Sequence, residues 1–318
     1  MPPRRVIGVD AGGTKLLGGV VDEQLVVHNR VHRTWRGGDR QETLDVMVEA
    51  VEEIRAVAPD VEAVGFGIPA LVHYETGVSE WSTHLPLEDV PFRDLMSERL
   101  GLPAYVDNDV NAALLAEHHG GAARGSRHAV MVALGTGIGG ALLLDGRLYR
   151  GATGAAGEIG HMVVDLDGPE CQGACPGVGH LEVLASGPAI ARAGEEAGRA
   201  APESELGRRV AAGREVTGAL VTEMAHDGDP VARSALEVIG RRLGAGLVGV
   251  VNVFNPEVVV IGGGPVVAGD LLLDPAREVV VQQALPPSRD RARIAPAHYG
   301  EESGMLGAAL LALQAGEA

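Results

Sequence analysis

Two cysteines, two histidines and two glutamates crowd one stretch of the chain, Glu158 to Glu182, with the sequence EIGHMVVDLDGPECQGACPGVGHLE. The spacing is His161-x9-Cys171-x3-Cys175-x4-His180, and these are the only 2 cysteines in the 318 residues. Gly168, Pro169, Gly173, Pro176, Gly177 and Gly179 lie among them and favour tight turns over a packed core. Four soft or borderline ligands on such a loop read as one tetrahedral zinc site of the closed, structural kind, held by His161, Cys171, Cys175 and His180. The alternatives are a disulfide or two inert thiols. Against the first, the short gap strains an internal disulfide, and two cysteines in so long a chain make no disulfide framework.

Three glycine runs point to phosphate chemistry. The first is Asp10-Ala-Gly12-Gly13-Thr14-Lys15, the second Gly135-Thr136-Gly137, the third Gly262-Gly263-Gly264. Successive backbone N–H groups in such turns form a nest for an anion, and Thr14 and Thr136 add hydroxyl donors. Gly12 and Gly13 allow positive φ and close approach to a ligand. The third run follows a buried strand, where a flat adenine can lie against bare backbone. Asp10 ends the first strand and can hold Mg²⁺, most simply through water. Neither a Walker A loop nor a dinucleotide fingerprint is present, and each run taken alone is ordinary turn chemistry. Lys15 is the single lysine among 26 basic residues. That bias reflects overall composition, yet the one lysine falls inside the first run.

Transfer of a phosphoryl group to a hydroxyl needs a base that orients the acceptor and takes its proton. Asp109 is the candidate, at a strand-to-helix junction, with Asn108 beside it to hydrogen-bond a substrate hydroxyl. The plainer account is that Asn108 or Asp109 caps the following helix. That covers one polar residue and leaves the rest of Asp107-Asn108-Asp109 and Asn111 unexplained. A hydroxyl-rich substrate also calls for bidentate acceptors, supplied by Glu158 and Glu182. Both flank the Cys/His loop, so a bound metal would fix their positions.

The elements that must position these residues alternate between strand and helix, which indicates an α/β architecture. Val6–Val9 and Leu16–Val21 read as strands around the first turn, and His128–Leu134 and Ala141–Leu144 repeat the device around the second. Asp39–Ala56 has an amphipathic helical pattern, Val61–Ile68 is a strand ending at Pro69-Ala70, and Ser79–Pro91 is a loop. Phe92–Leu100 is a helix closed by Gly101, and a strand through Tyr105 and Val106 delivers Asp107-Asn108-Asp109 to a helix at Val110–His119. Helices run from Leu181 to Phe254, broken at Ser186-Gly187-Pro188 and near Pro202. Val258–Ile261 is an apolar strand, and Ser303 is placed to cap a last helix, Met305–Leu313.

A net charge of −17 argues against a nucleic-acid or anionic-membrane surface. The start, VIGVDAGG, is a strand and turn rather than a signal peptide, and the longest apolar run, Leu243–Phe254, is broken by glycines and Asn252. A soluble cytoplasmic protein is expected. Hydrophobic content is 46% but aromatic content only 3%, so the cores must be built from Val, Leu, Ala and Ile.

The chain resembles the ROK family, sugar kinases and sugar-responsive repressors of the actin-like ATPase superfamily. The matching motifs are DAGGTK (10–15), GFGIPA (65–70), DNDVNAA (107–113), LGTGIGG (134–140), GAAGEIGHM (154–162), the Cys/His loop ending in GHLE (179–182) and VVVIGGG (258–264). They span essentially the whole chain in one order. The resemblance implies two RNase H-like α/β domains with a central cleft: a smaller one from residues 1–118 plus 304–318, and a larger one from 119–303. It implies Asp109 as base, Asn108, Glu158, His161 and Glu182 as sugar contacts, and Asp10, Gly12, Thr14, Thr136, Gly137 and Gly263 around Mg-ATP. His161 would serve the zinc with one ring nitrogen and a sugar hydroxyl with the other.

Three departures from the family pattern stand out. His180 replaces the last of three loop cysteines, and imidazole is a competent zinc ligand. Ala70 stands where glycine is usual, and His84 where sugar kinases of this family often carry asparagine near the sugar. Both therefore bear on which sugar is bound. An ATP-dependent kinase of a hexose, foremost glucose, is the leading expectation. N-acetylmannosamine, fructose or allose as acceptor, polyphosphate as donor, and a non-catalytic sugar sensor are the alternatives. The strand beginning at Val6 leaves no room for the repressors' DNA-binding segment, so no nucleic-acid partner is expected. Family members are often dimers or tetramers, and the resemblance implies a homo-oligomer.

Overall fold

Short apolar strands separated by glycine turns open the chain. The computed structural model describes residues 4–13, 15–35, 38–82, 84–172 and 175–315. β1 (Arg5–Ala11), β2 (Lys15–Asp22) and β3 (Val27–Thr34) form an antiparallel meander, with Val9 opposite Gly18. α1 (Arg40–Val57) follows, its N-terminus capped by Asp39, whose carboxylate accepts the Glu42 N–H at 2.9 Å. Its apolar face, Leu44, Met47, Val51 and Ile54, is buried. β4 (Val64–Ile68), β5 (Leu71–His73), β6 (Val78–Trp81), α2 (Phe92–Leu100), β7 (Ala104–Asn108) and α3 (Asp109–Gly120) come next. Gly101 closes α2 in the left-handed region at φ 61°. The loop expected at Ser79–Pro91 is partly strand: β6 pairs antiparallel with β5, and Ser79 and Val90 form a further bridge. Too few apolar residues alternate there for the strand to show in sequence.

The second sequence half supplies β8 (Ala129–Leu134), β9 (Ile138–Leu144), β10 (Arg147–Leu148), α4 (Leu181–Ala185), α5 (Gly187–Ala200), α6 (Glu205–Ala211), α7 (Gly218–His226), α8 (Pro230–Phe254), β11 (Val258–Gly262), α9 (Asp270–Gln283), α10 (Ser288–Arg291), β12 (Arg293–Pro296) and α11 (Ser303–Ala315). The two large sheets follow one plan. The first is ordered β3-β2-β1-β4-β7, the second β10-β9-β8-β11-β12. In the first, β4 and β7 run parallel to β1; in the second, β11 and β12 run parallel to β8. The strand–glycine turn–strand device at β1–β2 and β8–β9 is therefore the start of each sheet. The chain divides into two compact units, Met1–Gly125 with Ala141–Gly157 and His298–Ala318, and Ser126–Gly140 with Glu158–Ala297. No helix among the described residues is long and apolar enough to cross a membrane.

Within the first unit, α11 is apolar on nearly every side and buried from Ser303 to Leu310. It lies so close to the sheet and to α3 that three contact points admit only glycine. A Cβ on Gly8 of β1 would stand 2.1 Å from the Met305 carbonyl oxygen, one on Gly65 of β4 1.7 Å from that of Ala308, and one on Gly307 1.6 Å from that of Ala112. Ser303 does not act as the outside cap that the sequence suggests. It begins the helix, and its hydroxyl donates to the buried Glu117 carboxylate at 2.9 Å. The same carboxylate accepts the N–H groups of Ala122, His298 and Tyr299 at 2.7, 3.0 and 2.9 Å, so α3 holds the approach to α11.

Gly65→Ala forces α11 away from the sheet, and a loss of about 2–3 kcal/mol is expected in urea unfolding of the purified protein. A second expectation concerns acid. Asp22 at the end of β2 is buried, which alone would raise its carboxyl. The Val26 and Gln24 N–H groups at 3.0 and 2.9 Å and the His28 ring at 2.7 Å outweigh burial and hold it below the usual range. A depressed carboxylate contributes stability that is complete above its unfolded pKa, near 4, and is lost as pH falls through the lower folded value. Asp22→Asn should therefore cost about 1 kcal/mol at pH 7. The gap from wild type should close as urea midpoints are followed down toward pH 3.

Candidate active site and metal loop

The residues DNDVN at 107–111 divide the work of one corner between them. Asp107 is buried at the end of β7, where its Oδ1 accepts the Asn111 Nδ2 at 2.9 Å and the Asn108 N–H at 2.8 Å. Asn108 does cap α3: its Oδ1 accepts the N–H groups of Val110 and Asn111 at 2.9 and 3.2 Å. Its Nδ2 donates to the carbonyl of Ala70 at 3.3 Å, so buried Ala70 meets the corner through its backbone. Asp109 is half-buried and accepts the Val110 N–H at 3.0 Å. Burial pushes its carboxyl above the ordinary range, against the opposing pull of the Val110 N–H and the charge of His84.

Asp10, near the end of β1, belongs to the same neighbourhood. Its carboxyl is raised to about 8, first by burial and then by the Asp109 charge. Its carboxylate packs on the first turn of α11, where a Cβ on Gly304 would come 2.5 Å from an Asp10 oxygen. The Asp109 charge favours positive charge at Asp10, and a carboxylate so placed suits a hard divalent cation. In the first glycine turn, the Gly12 carbonyl accepts the Trp35 indole N–H at 2.9 Å. A Cβ on Gly13 would stand 3.1 Å from the Cβ of His84, which brings that histidine to the turn. Lys15 is exposed at the start of β2, and Thr14 lies outside the described residues.

In the second unit the turn Gly135-Thr136-Gly137 is closed by a Gly135 N–H bond to the Gly137 carbonyl at 2.8 Å. The Glu182 Oε2 accepts the Ile138 N–H at 2.9 Å, and a Cβ on Gly137 would stand 2.0 Å from that oxygen. Gly137 is thus bare so that Glu182 can reach the turn. Gly262 ends β11, Gly263 has φ +86° with its missing Cβ 1.9 Å from the Leu134 carbonyl, and Gly264 opens a short 3₁₀ turn. Gln172, which sequence reasoning passed over, donates to the Thr136 carbonyl and to the Ser186 hydroxyl, both at 3.3 Å. A glutamine between two cysteines gives no sequence signal of that role.

His161, Cys171, Cys175 and His180 bring one ligand atom each within 4.8 Å of all the others. The two Nδ1 atoms are 3.2 Å apart, Cys175 Sγ lies 3.6 and 3.5 Å from those of His161 and His180, and Cys171 Sγ lies 3.9 Å from that of His161. Tetrahedral zinc requires N–N, N–S and S–S edges of about 3.3, 3.5 and 3.8 Å. The residues therefore fit zinc, and they fit it with His180 as the fourth ligand. Both cysteines are free thiols rather than a disulfide. Burial first, then Cys175 and Glu182, pushes the Cys171 thiol up to about 11, a value that a bound cation would reverse. With Nδ1 turned to the ligand cluster, His161 presents Nε2 outward, 3.9 Å from Glu158 Oε2. The Glu182 Oε1 is 3.8 Å from Cys171 Sγ, so one carboxylate touches both the metal loop and the second glycine turn.

Paired glycine-turn sheets of this order define a protein of the actin-like ATPase fold. The chain belongs to the ROK family, whose sequence model matches residues 6–315. It is 36% identical to a glucokinase of Thermotoga maritima over 313 residues, covering 97% of each chain. A ROK family glucokinase from Streptomyces griseus, solved in complex with glucose and AMPPNP, superposes with TM-score 0.88 at 34% identity, covering 98% of this chain and 99% of that one. The ROK hexokinase of Thermus thermophilus gives TM-score 0.76 at 32% identity, covering 99% and 100%.

Cys175→Ser removes one of the four candidate ligands. Elemental analysis should find zinc near one per chain in the wild type and less than about a quarter of that in the variant. Sugar affinity measured by calorimetry should fall with it, and an unchanged affinity would separate the loop from the sugar site.

Proposed function

We propose that the chain transfers the γ-phosphoryl group of ATP to the 6-hydroxyl of glucose, giving glucose 6-phosphate and ADP. The reading is supported by full-length similarity to glucokinases and by one feature above all: Asp109, a carboxyl raised by burial, stands at the head of α3 beside Asp10 and the first glycine turn. A base with a pKa lifted toward neutrality is a better proton acceptor than an ordinary aspartate. For the hexose hydroxyls the first unit offers Asn108, with Ala70 and His84 near its corner, and the second unit offers Glu158, His161 and Glu182. For the nucleotide the first unit offers Gly12, Gly13, Thr14 and Lys15, and the second unit Gly135, Thr136, Gly137 and Gly262 to Gly264.

In the reaction the sugar oxygen forms a bond to the γ-phosphorus, its proton passes to Asp109, and the bond from that phosphorus to the ADP oxygen breaks. Mg²⁺ would be held by Asp10, and when bound it neutralises phosphate charge. Zinc would be held by His161, Cys171, Cys175 and His180, and would serve structurally by ordering the loop that carries Glu158, His161 and Glu182. The enzyme works in the cytoplasm as a homodimer or homotetramer.

A coupled assay of ADP release over a sugar panel, with ATP and polyphosphate as donors, tests the reading. Glucose with ATP should give the highest kcat/KM, and no ADP release with any sugar would leave a sugar sensor in its place. Asp109→Asn should lower kcat by about 10²–10⁴-fold while calorimetric glucose binding persists. Retained turnover in that variant would remove Asp109 from the role of base.

A further inference from the structure

One partly buried ion pair has no part in the chemistry described so far. Arg150 follows β10, and its Nε and Nη2 both donate to Asp107 Oδ2, at 2.8 and 2.6 Å. The Asp107 side chain is 3% exposed and that of Arg150 24%. The guanidinium also lies 5.8 Å from the centroid of the Tyr74 ring, at the end of the β5–β6 hairpin. Its own backbone carbonyl accepts the Ala156 N–H at 3.2 Å, which anchors the segment bearing it.

Building on the kinase reading, we propose that Arg150 is a positioning residue for phosphoryl transfer, fixing through Asp107 the corner that aims Asn108 and Asp109. The donors to Asp107 decide this. Asn108 N–H and Asn111 Nδ2 belong to the corner itself and travel with it. Among the described residues, Arg150 alone donates to the Asp107 carboxylate from elsewhere in the chain, 43 residues away in sequence. Without it the Asp107 carboxylate would be held only by groups of its own corner. Two bonds from one planar guanidinium fix direction as well as distance, which a lysine ammonium cannot reproduce. A pair that served stability alone could be exchanged for a neutral pair of similar shape.

Two variants separate these roles, Arg150→Lys and the neutral double variant Arg150→Met with Asp107→Asn. Each is assayed for kcat, KM for ATP, melting temperature and, without substrates, amide exchange of the peptide spanning residues 104–114. The expected result is a kcat lowered about tenfold or more with KM for ATP within about twofold, since small misplacement of reacting groups is costly. Exchange in the 104–114 peptide should quicken in Arg150→Lys, and the double variant should regain melting temperature without regaining kcat. Wild-type kcat in either variant, or a lowered kcat with wild-type exchange, overturns the positioning role. If the wild type transfers phosphate to no sugar, the kinase reading fails instead, and the exchange measurement still decides whether Arg150 orders the corner.

Discussion

The close seating of α11 against the first sheet is the constraint on which the chemistry of the first unit depends. Carbonyl oxygens of Met305 and Ala308 occupy the space that side chains at Gly8 and Gly65 would take, and Gly307 meets the Ala112 carbonyl in the same way. α11 thereby touches β1, β4 and α3 at bare backbone. Asp10 lies near the end of β1 and packs on the first turn of that helix, and Asp109 begins α3. The two carboxylates are held near one another because the elements that carry them share one tightly packed neighbour. Such packing tolerates little displacement, because interiors are dense and backbone cannot yield as a flexible side chain does.

The second unit solves a related problem with polar contacts. Its glycine turn is shaped around Glu182, whose carboxylate binds the Ile138 N–H through the gap left at Gly137 and reaches Cys171 with its other oxygen. Gln172 adds a bond from the Cys/His loop to the Thr136 carbonyl. The loop and the turn are therefore one connected polar assembly, and order in either supports order in the other.

Much of this was legible in the sequence, for definite reasons. Glycine runs at strand ends, the DNDVN corner and the Cys/His spacing are local signals, and the α/β class follows from alternating periodicity. Capping by Asn108 stood in the sequence as one of two alternatives, and the sharing of Glu182 with the second turn was not legible, because both depend on where a side chain points. The Asp107–Arg150 pair was hidden by its separation in sequence, and β6 by a composition poor in alternating apolar residues. Ser303 looked like a cap because serine before an apolar run commonly is one; the buried Glu117, contributed by another helix, redirected its hydroxyl.

The scarcity of lysine acquires a meaning from the fold. The single ε-amino group of the chain, Lys15, stands exposed where β2 leaves the first glycine turn. Acylation, glycation or any reagent selective for primary side-chain amines has that one address, so an amine-directed label reports on the mouth of the first turn and on no other side chain in the sequence.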